Sequence, residues 1–280
     1  MARRTLIVGC GYIGKPLARA FRDLGDSVSA WVRSPESGAE LQGEGFKQAI
    51  VGSVADESCW REANATFDLV VHCAASGGGG VNAHREVYLE GVRQINHYQP
   101  QARRIFVSST SVYGQIDGGW VDESSPTEPI AETGRVLVEA EREAWAAGAI
   151  VVRAAGIYGP GRGALFQKFM RGEAVIEGDG SRWLNQITDA DLVSALFRLG
   201  IEIGTPGEIY NAVDDEPVML RDFYAWCSEK LGKPLPPHGP VDPKRKRGLT
   251  NKRVSNRKLR AAGWAPQFPT FREGFASEFC

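Results

Sequence analysis

The stretch Arg4-Thr5-Leu6-Ile7-Val8-Gly9-Cys10-Gly11-Tyr12-Ile13-Gly14 joins a short apolar run to three glycines spaced G-x-G-x-x-G. Tyr12 to Leu24 continues as an amphipathic helix, so the glycines sit where a buried strand turns into a helix N-terminus. In that setting the first glycine permits a tight turn, the second lets the backbone approach a pyrophosphate, and the third lets the helix pack closely on the strand. The stretch predicts a dinucleotide-binding turn, with Gly9, Gly11, Tyr12, Ile13 and Gly14 against the phosphates.

Working outward, Ser27 to Val32, Phe46 to Val51, Asp68 to Ala74, Arg104 to Ser108 and Ala149 to Arg153 are further apolar or β-branched runs, as expected of strands buried on both faces. Amphipathic segments at Glu57 to Asn64, Arg85 to Tyr98 and Gly134 to Ala147 alternate with them. The alternation predicts an α/β fold: a doubly wound parallel sheet of the Rossmann kind. After Tyr158 the rhythm changes. A smaller C-terminal α/β substrate domain is expected over 159–280, following a dinucleotide-binding domain over 1–158, with Asp189 to Leu199 and Ile209 to Ala212 returning to the first core. Helices are expected near Leu165 to Arg171, Asp189 to Gly200 and Leu220 to Leu231, with a strand near Ala174 to Glu177.

The 280 residues, 42% hydrophobic and 24% charged, fall near the globular average, which argues against a disordered, collagenous or coiled-coil chain. No apolar run is long enough for a membrane span. The five cysteines are scattered without a C-x-x-C pair, so no metal site is expected and reduced thiols in a cytoplasmic setting are. Net charge is −1, yet Lys244 to Arg260 holds nine basic and no acidic residues.

The second strand ends Trp31-Val32-Arg33-Ser34, with no carboxylate before Glu36. Arginine at that tip suits a ribose 2′-phosphate, whereas an acid would suit a free 2′-hydroxyl. Arg33 and Ser34 therefore predict NADP, with NAD also allowed. Ser53 and Val54 after the third strand join the expected cofactor-binding set. Gly77 to Gly80 then follows at the ligand edge, where four glycines suit close backbone approach or a moving loop.

Several segments together resemble the short-chain dehydrogenase/reductases, specifically the extended and atypical branch that includes NAD-dependent epimerase/dehydratase proteins. Asp68 to Ala75 is similar to that family's fourth-strand motif, which implies that its end, Cys73, Ala74 and Ala75, lines the cofactor; Val107-Ser-Ser-Thr-Ser-Val-Tyr-Gly114 is similar to its catalytic serine segment, Arg153 to Gly161 to the entry into the substrate domain, and Asn185 to Leu192 to a later segment ending Asp-x-Asp-Leu. The resemblance implies a catalytic role for Ser109. It also implies a Tyr-x-x-x-Lys motif about twenty-five residues further on, and there the chain departs: Thr133 stands at the tyrosine position and Leu137 at the lysine position. An alcohol titrates far above a phenol and leucine offers neither charge nor hydrogen bond, so catalysis here would rest on a non-standard acid/base group or on one that the substrate brings. Tyr113 is one candidate replacement and Thr133 is kept as a candidate catalytic residue. His72, inside a buried strand, reads as a core histidine; His84, beyond the glycine run, is open to either role. Tyr88 replaces the asparagine usual in the family's Asn-x-x-Gly segment.

The resemblance implies an oxidoreductase or epimerase/dehydratase-like enzyme acting on a small carbonyl, sugar or nucleotide-sugar substrate. A dinucleotide-sensing protein without catalysis is the alternative. The basic run could face a phosphorylated substrate or simply solvent; no nucleic-acid motif accompanies it, and neither nucleic acid nor membrane is expected as a partner. A homodimer is allowed. Trp120, Trp183 and Tyr158 could line a pocket or fill a core.

Overall fold

The computed structural model describes residues 2–242 and 248–276. Seven strands form one all-parallel sheet: β1 (Arg4–Val8), β2 (Ser27–Val32), β3 (Gln48–Val51), β4 (Leu69–His72), β5 (Arg103–Ser109), β6 (Ile150–Ala154) and β7 (Ile209–Ala212). Their spatial order is β7-β6-β5-β4-β1-β2-β3, so the order reverses at β1, beside β4. Open α/β sheets bind ligands at such a reversal, outside the strands' C-terminal ends.

Successive residues of β1 explain the layering. Leu6 and Val8 pack with Trp31, Trp60 and Ile95 on one face, while Ile7 packs with Leu17, Phe21 and Leu196 on the other. Helices α1 (Gly14–Asp23) and α2 (Pro35–Gln42) cover the Ile7 side. The opposite side receives α3 (Glu57–Ala63) and a long segment made of α4 (Gly80–His84), a π-helical stretch (Arg85–Glu90) and α5 (Gly91–Tyr98), against which α6 (Glu132–Ala146) packs. Helix α2 was not expected; Ser34 as N-cap and Pro35 in the first turn account for it. The helix expected from Arg85 starts earlier, because Gly80 already belongs to it.

Beyond β6 the chain forms α7 (Ala164–Met170), α8 (Asp189–Ile201), α9 (Leu220–Leu231), α10 (Arg257–Ala261) and α11 (Phe271–Ala276). Helix α8 lies against α1, and β7 is the outer strand of the main sheet. A separate core gathers Tyr158, Phe166, Phe169, Phe223, Tyr224, Phe271 and Phe275, with the Tyr158 and Phe275 rings stacked at 4.2 Å. Each fully buried ring contributes roughly 1.5–3 kcal/mol, enough to fix α7, α9 and α11 as one unit. The expected strand near Ala174 shrinks to Ile176–Glu177, paired in parallel with His238–Gly239. Among the described residues, no helix is long and apolar enough to cross a membrane.

Candidate active site

Because every strand of the sheet runs the same way, Gly9, Arg33, Ser53, Cys73 and Ser109 all fall at one edge, at or just beyond the ends of β1 to β5. The three loop glycines differ in what requires them. At Gly9 (φ +90°) a Cβ would stand 2.2 Å from the Ala74 Cα, and at Gly14 a Cβ would stand 2.2 Å from the Gly9 carbonyl oxygen. These two are demanded by the packing of α1 and β4 against the turn. At Gly11 a Cβ would meet nothing within 4 Å. Its bareness serves no contact of the protein itself and leaves the backbone open to a ligand. Behind it, α1 begins with no side-chain cap and no acidic residue in its first turn. Uncapped amides and the positive end of the helix dipole suit an anion there. The residues therefore fit a dinucleotide pyrophosphate.

Tyr12 reaches across to the segment after β6: its hydroxyl lies 3.4 Å from the Pro160 carbonyl, and the Arg162 guanidinium sits 4.8 Å from its ring centroid. Ile13 is buried. Arg33 is exposed and makes no hydrogen bond or ion pair among the described residues, whereas the Ser34 hydroxyl accepts from the Ser37 amide and caps α2. Glu36 stands in the first turn of α2, its carboxyl held below the usual range by its own amide and by Ser34. Ser53 donates to Glu86 at 2.7 Å, and Val54 is buried with its carbonyl accepting from Trp60, so Val54 offers a ligand main chain only. The Cys73 thiol points back to the Gly9 carbonyl at 3.5 Å, and burial raises its pKa. Ala74 underlies Gly9, and Ala75 is exposed.

The Ser109 hydroxyl accepts from the Ser111 amide at 3.1 Å. Its proton has no acceptor among the described residues, which leaves it a donor for a substrate oxygen. Thr133 lies half-buried in the first turn of α6, and its hydroxyl makes no hydrogen bond among the described residues. Leu137, one turn on, is buried in the core, and α6 carries neither tyrosine nor lysine.

Tyr113, expected as a candidate replacement acid, is committed to the core. Its side chain is wholly buried; the hydroxyl donates to Asn211 Oδ1 at 2.9 Å and accepts from Arg153 Nη1 at 2.9 Å. Burial raises its pKa despite the adjacent guanidinium. A phenol so committed is a structural strut, not a replacement acid. It belongs to a buried network that the sequence did not reveal: Arg153 pairs with Glu141 at 2.7 Å, Glu141 accepts from Ser108 at 2.6 Å, and Glu123 accepts from the Asn211 amide at 2.7 Å.

His72 is a core histidine, as expected. Its Nε2 lies 2.9 Å from the Val87 carbonyl, and burial pushes its pKa down to about 4. The basic run also reads differently in the structure. Lys244 to Arg247 lies outside the described residues. Lys252 is buried, donating to the Tyr113 carbonyl at 3.0 Å, with its pKa pushed down to about 8 by desolvation. Arg253 lies 5.1 Å from the Trp120 ring centroid and 5.2 Å from that of Trp183; Lys258 pairs with Glu208 and Arg260 with Asp215. These four cations serve the fold, and the tryptophans flank an arginine.

Residues 5–212 match the NAD dependent epimerase/dehydratase family. The chain is 28% identical over 284 residues to a dTDP-4-dehydro-6-deoxy-D-allose reductase of Streptomyces sp, covering 85% of this chain and 86% of the relative. It is 30% identical over 248 residues to 4-hydroxy-2-methyl-3-oxo-4-farnesyl-3,4-dihydroquinoline-1-oxide ketoreductase of Stigmatella aurantiaca, covering 82% and 73%. Among solved structures, a conserved protein of unknown function from Silicibacter pomeroyi DSS shares 30% identity at a TM-score of 0.78, over 99% of this chain and 98% of that one. The family match, spanning β1 to β7 and the glycine turn, and these relatives make the chain a member of the NAD dependent epimerase/dehydratase family, an NAD(P)-dependent oxidoreductase or epimerase/dehydratase-like enzyme.

Proposed function

We propose that this enzyme interconverts a carbonyl and a secondary alcohol on a small oxygenated substrate of the keto-sugar or nucleotide-sugar class, with NADP preferred over NAD. The observation that carries the reading is the bare Gly11 backbone before an uncapped, acid-free helix N-terminus. When bound there, the dinucleotide supplies or accepts a hydride. The chain's own part is to hold the pyrophosphate at α1, offer Arg33 to a 2′-phosphate, and present the Ser109 hydroxyl to the substrate oxygen. The nucleotide-sugar class is supported by the Streptomyces reductase, whose name carries such a substrate, and the ketoreductase supports carbonyl reduction more broadly. Sensing without catalysis is not favoured, since both relatives are named for reductions.

Calorimetry with NADPH and NADH, followed by NADPH oxidation across a panel of ketones and dTDP-linked 4-keto sugars, tests the proposal. Turnover of a keto sugar is the expected result. Absence of dinucleotide binding would overturn it.

A further inference from the structure

Helix α6 carries neither tyrosine nor lysine, and α4 with its π-helical continuation packs beside it. Both α4 and α6 follow strands of the parallel sheet and run back along it, so both begin at the ligand edge. They pack together, and Arg85 pairs with Glu139 at 3.4 Å while Arg93 pairs with Glu143 at 2.9 Å. These ties set the segments side by side in the same direction, which brings the turn carrying His84 alongside the first turns of α6, where Thr133 and Leu137 stand.

His84 is held there in a defined state. Its Nδ1 lies 2.8 Å from the Gly80 carbonyl and 3.1 Å from the Ser76 hydroxyl. A carbonyl only accepts, so Nδ1 carries a proton and Nε2 is the nitrogen left to exchange one. Nε2 has no partner among the described residues. The ring rests 5.2 Å from that of Tyr88, whose own ring meets Phe106 of β5 at 6.3 Å, two strand positions before Ser108. In front of it the chain turns through Gly77, Gly78 and Gly80, all at positive φ; a Cβ at any of the three would meet nothing within 4 Å. The loop therefore borders open space. The next six residues form a π-helical stretch, a rare turn frequently found at functional sites.

Resting on the functional reading above, we infer that His84 Nε2 is the proton donor and acceptor that takes the place of the absent tyrosine. In reduction, the carbonyl carbon gains a hydride from the reduced dinucleotide. The C–O π pair takes the Nε2 proton of the imidazolium, giving an alcohol and a neutral ring that water reprotonates. In oxidation, Nε2 takes the hydroxyl proton as the hydride leaves.

The test uses the full chain with its four histidines ¹⁵N-labelled. Without ligand, the His84 resonances should show the Nδ1–H form, and added NADPH or NADH should shift them while leaving exposed His97 and His238 unmoved. Diethyl pyrocarbonate attacks a free imidazole nitrogen, so peptide mass spectrometry should find His84 modified in the free chain and protected by saturating NADPH. His84→Gln should keep NADPH affinity within about twofold and lower turnover of a carbonyl that the parent reduces by about 10²- to 10⁴-fold. Dinucleotide that binds by calorimetry yet neither shifts nor protects His84 overturns this inference and leaves the functional reading standing. Failure to bind any dinucleotide overturns both.

Discussion

Glu141 of α6 and Arg153 of β6 form a buried ion pair at 2.7 Å, each side chain about 5% exposed or less, just beneath the strand ends that carry Ser109. The carboxylate takes two guanidinium nitrogens and the Ser108 hydroxyl, while the guanidinium also reaches the Tyr113 hydroxyl. The pair ties the helix bearing Thr133 to the strand beside β5.

Glu141→Ala would strand a buried guanidinium, and breaking such a pair costs about 3–5 kcal/mol. Urea unfolding should show a loss of that order, partly recovered by a second change, Arg153→Met, that removes the orphaned charge. A loss under about 1 kcal/mol in the single variant would show that the pair does not anchor α6.

The glycine turn makes a paired prediction. Gly11→Val places its side chain in open space, so folding should survive while NADPH affinity falls at least about tenfold, a loss of about 1.4 kcal/mol. Gly14→Val drives its Cβ into the Gly9 carbonyl and should destabilise the fold itself. Circular dichroism and calorimetry separate the two effects; undiminished affinity in a folded Gly11→Val chain would contradict the pyrophosphate site.

Much of this was legible in the residues, for reasons the structure makes plain. Strands buried on both faces announce themselves as apolar runs, and the G-x-G-x-x-G turn at the end of β1 stands out because its first and third glycines answer to local packing. Helix α2 was missed although Ser34-Pro35 signals its start, because that segment carries little apolar patterning. The Glu141, Arg153, Tyr113 and Asn211 network was out of reach, since its members lie up to 98 residues apart and only the sheet order unites them. Tyr113 looked available for the same reason: sequence places it after β5 but cannot show that it turns inward. The basic run misled because Lys252 and Arg253 are charged by type yet buried or stacked by position.

Arg33 should set cofactor choice. Unpaired and exposed at the tip of β2, it can make a charge-assisted contact with a 2′-phosphate worth about 1.5–3 kcal/mol, or about tenfold in affinity or more. Calorimetry should show NADPH bound more tightly than NADH, with the gap narrowed in Arg33→Ala. Equal affinities in the parent would remove Arg33 from the site.

His72 predicts acid sensitivity. Its ring is neutral in the fold, with a pKa near 4 against 6.5 when exposed, so between those values the unfolded chain binds more protons. The contribution is present in full above pH 6.5 and is lost as pH falls towards 4, amounting to at most about 3 kcal/mol. Buried Asp214, whose pKa is raised, acts in the opposite sense, so the useful comparison is between chains. His72→Gln keeps a donor for the Val87 carbonyl without a titrating ring, and its stability should depend less steeply on pH across that window. Superimposable pH profiles for the two chains would refute the assignment.

The last prediction ranks Ser109 above Thr133. Ser109 has a hydroxyl proton to give, and removing a donor aimed at a developing oxyanion costs about 10²- to 10³-fold in turnover. Thr133→Ala removes a hydroxyl that holds nothing in the protein, so a loss of one hydrogen bond of about 1 kcal/mol, several-fold in rate, is the expected limit. Placing a tyrosine and a lysine on α6 with Thr133→Tyr and Leu137→Lys is not a clean converse, because Leu137 is buried and an unpaired ammonium there would cost several kcal/mol. Thr133→Tyr alone adds a phenol without burying a charge and should leave the fold intact. Steady-state NADPH oxidation with a reducible keto sugar, for the parent, Ser109→Ala and Thr133→Ala, decides the order. A robust activity abolished by Thr133→Ala and untouched by Ser109→Ala would reverse it and move the chemistry from the end of β5 to the start of α6.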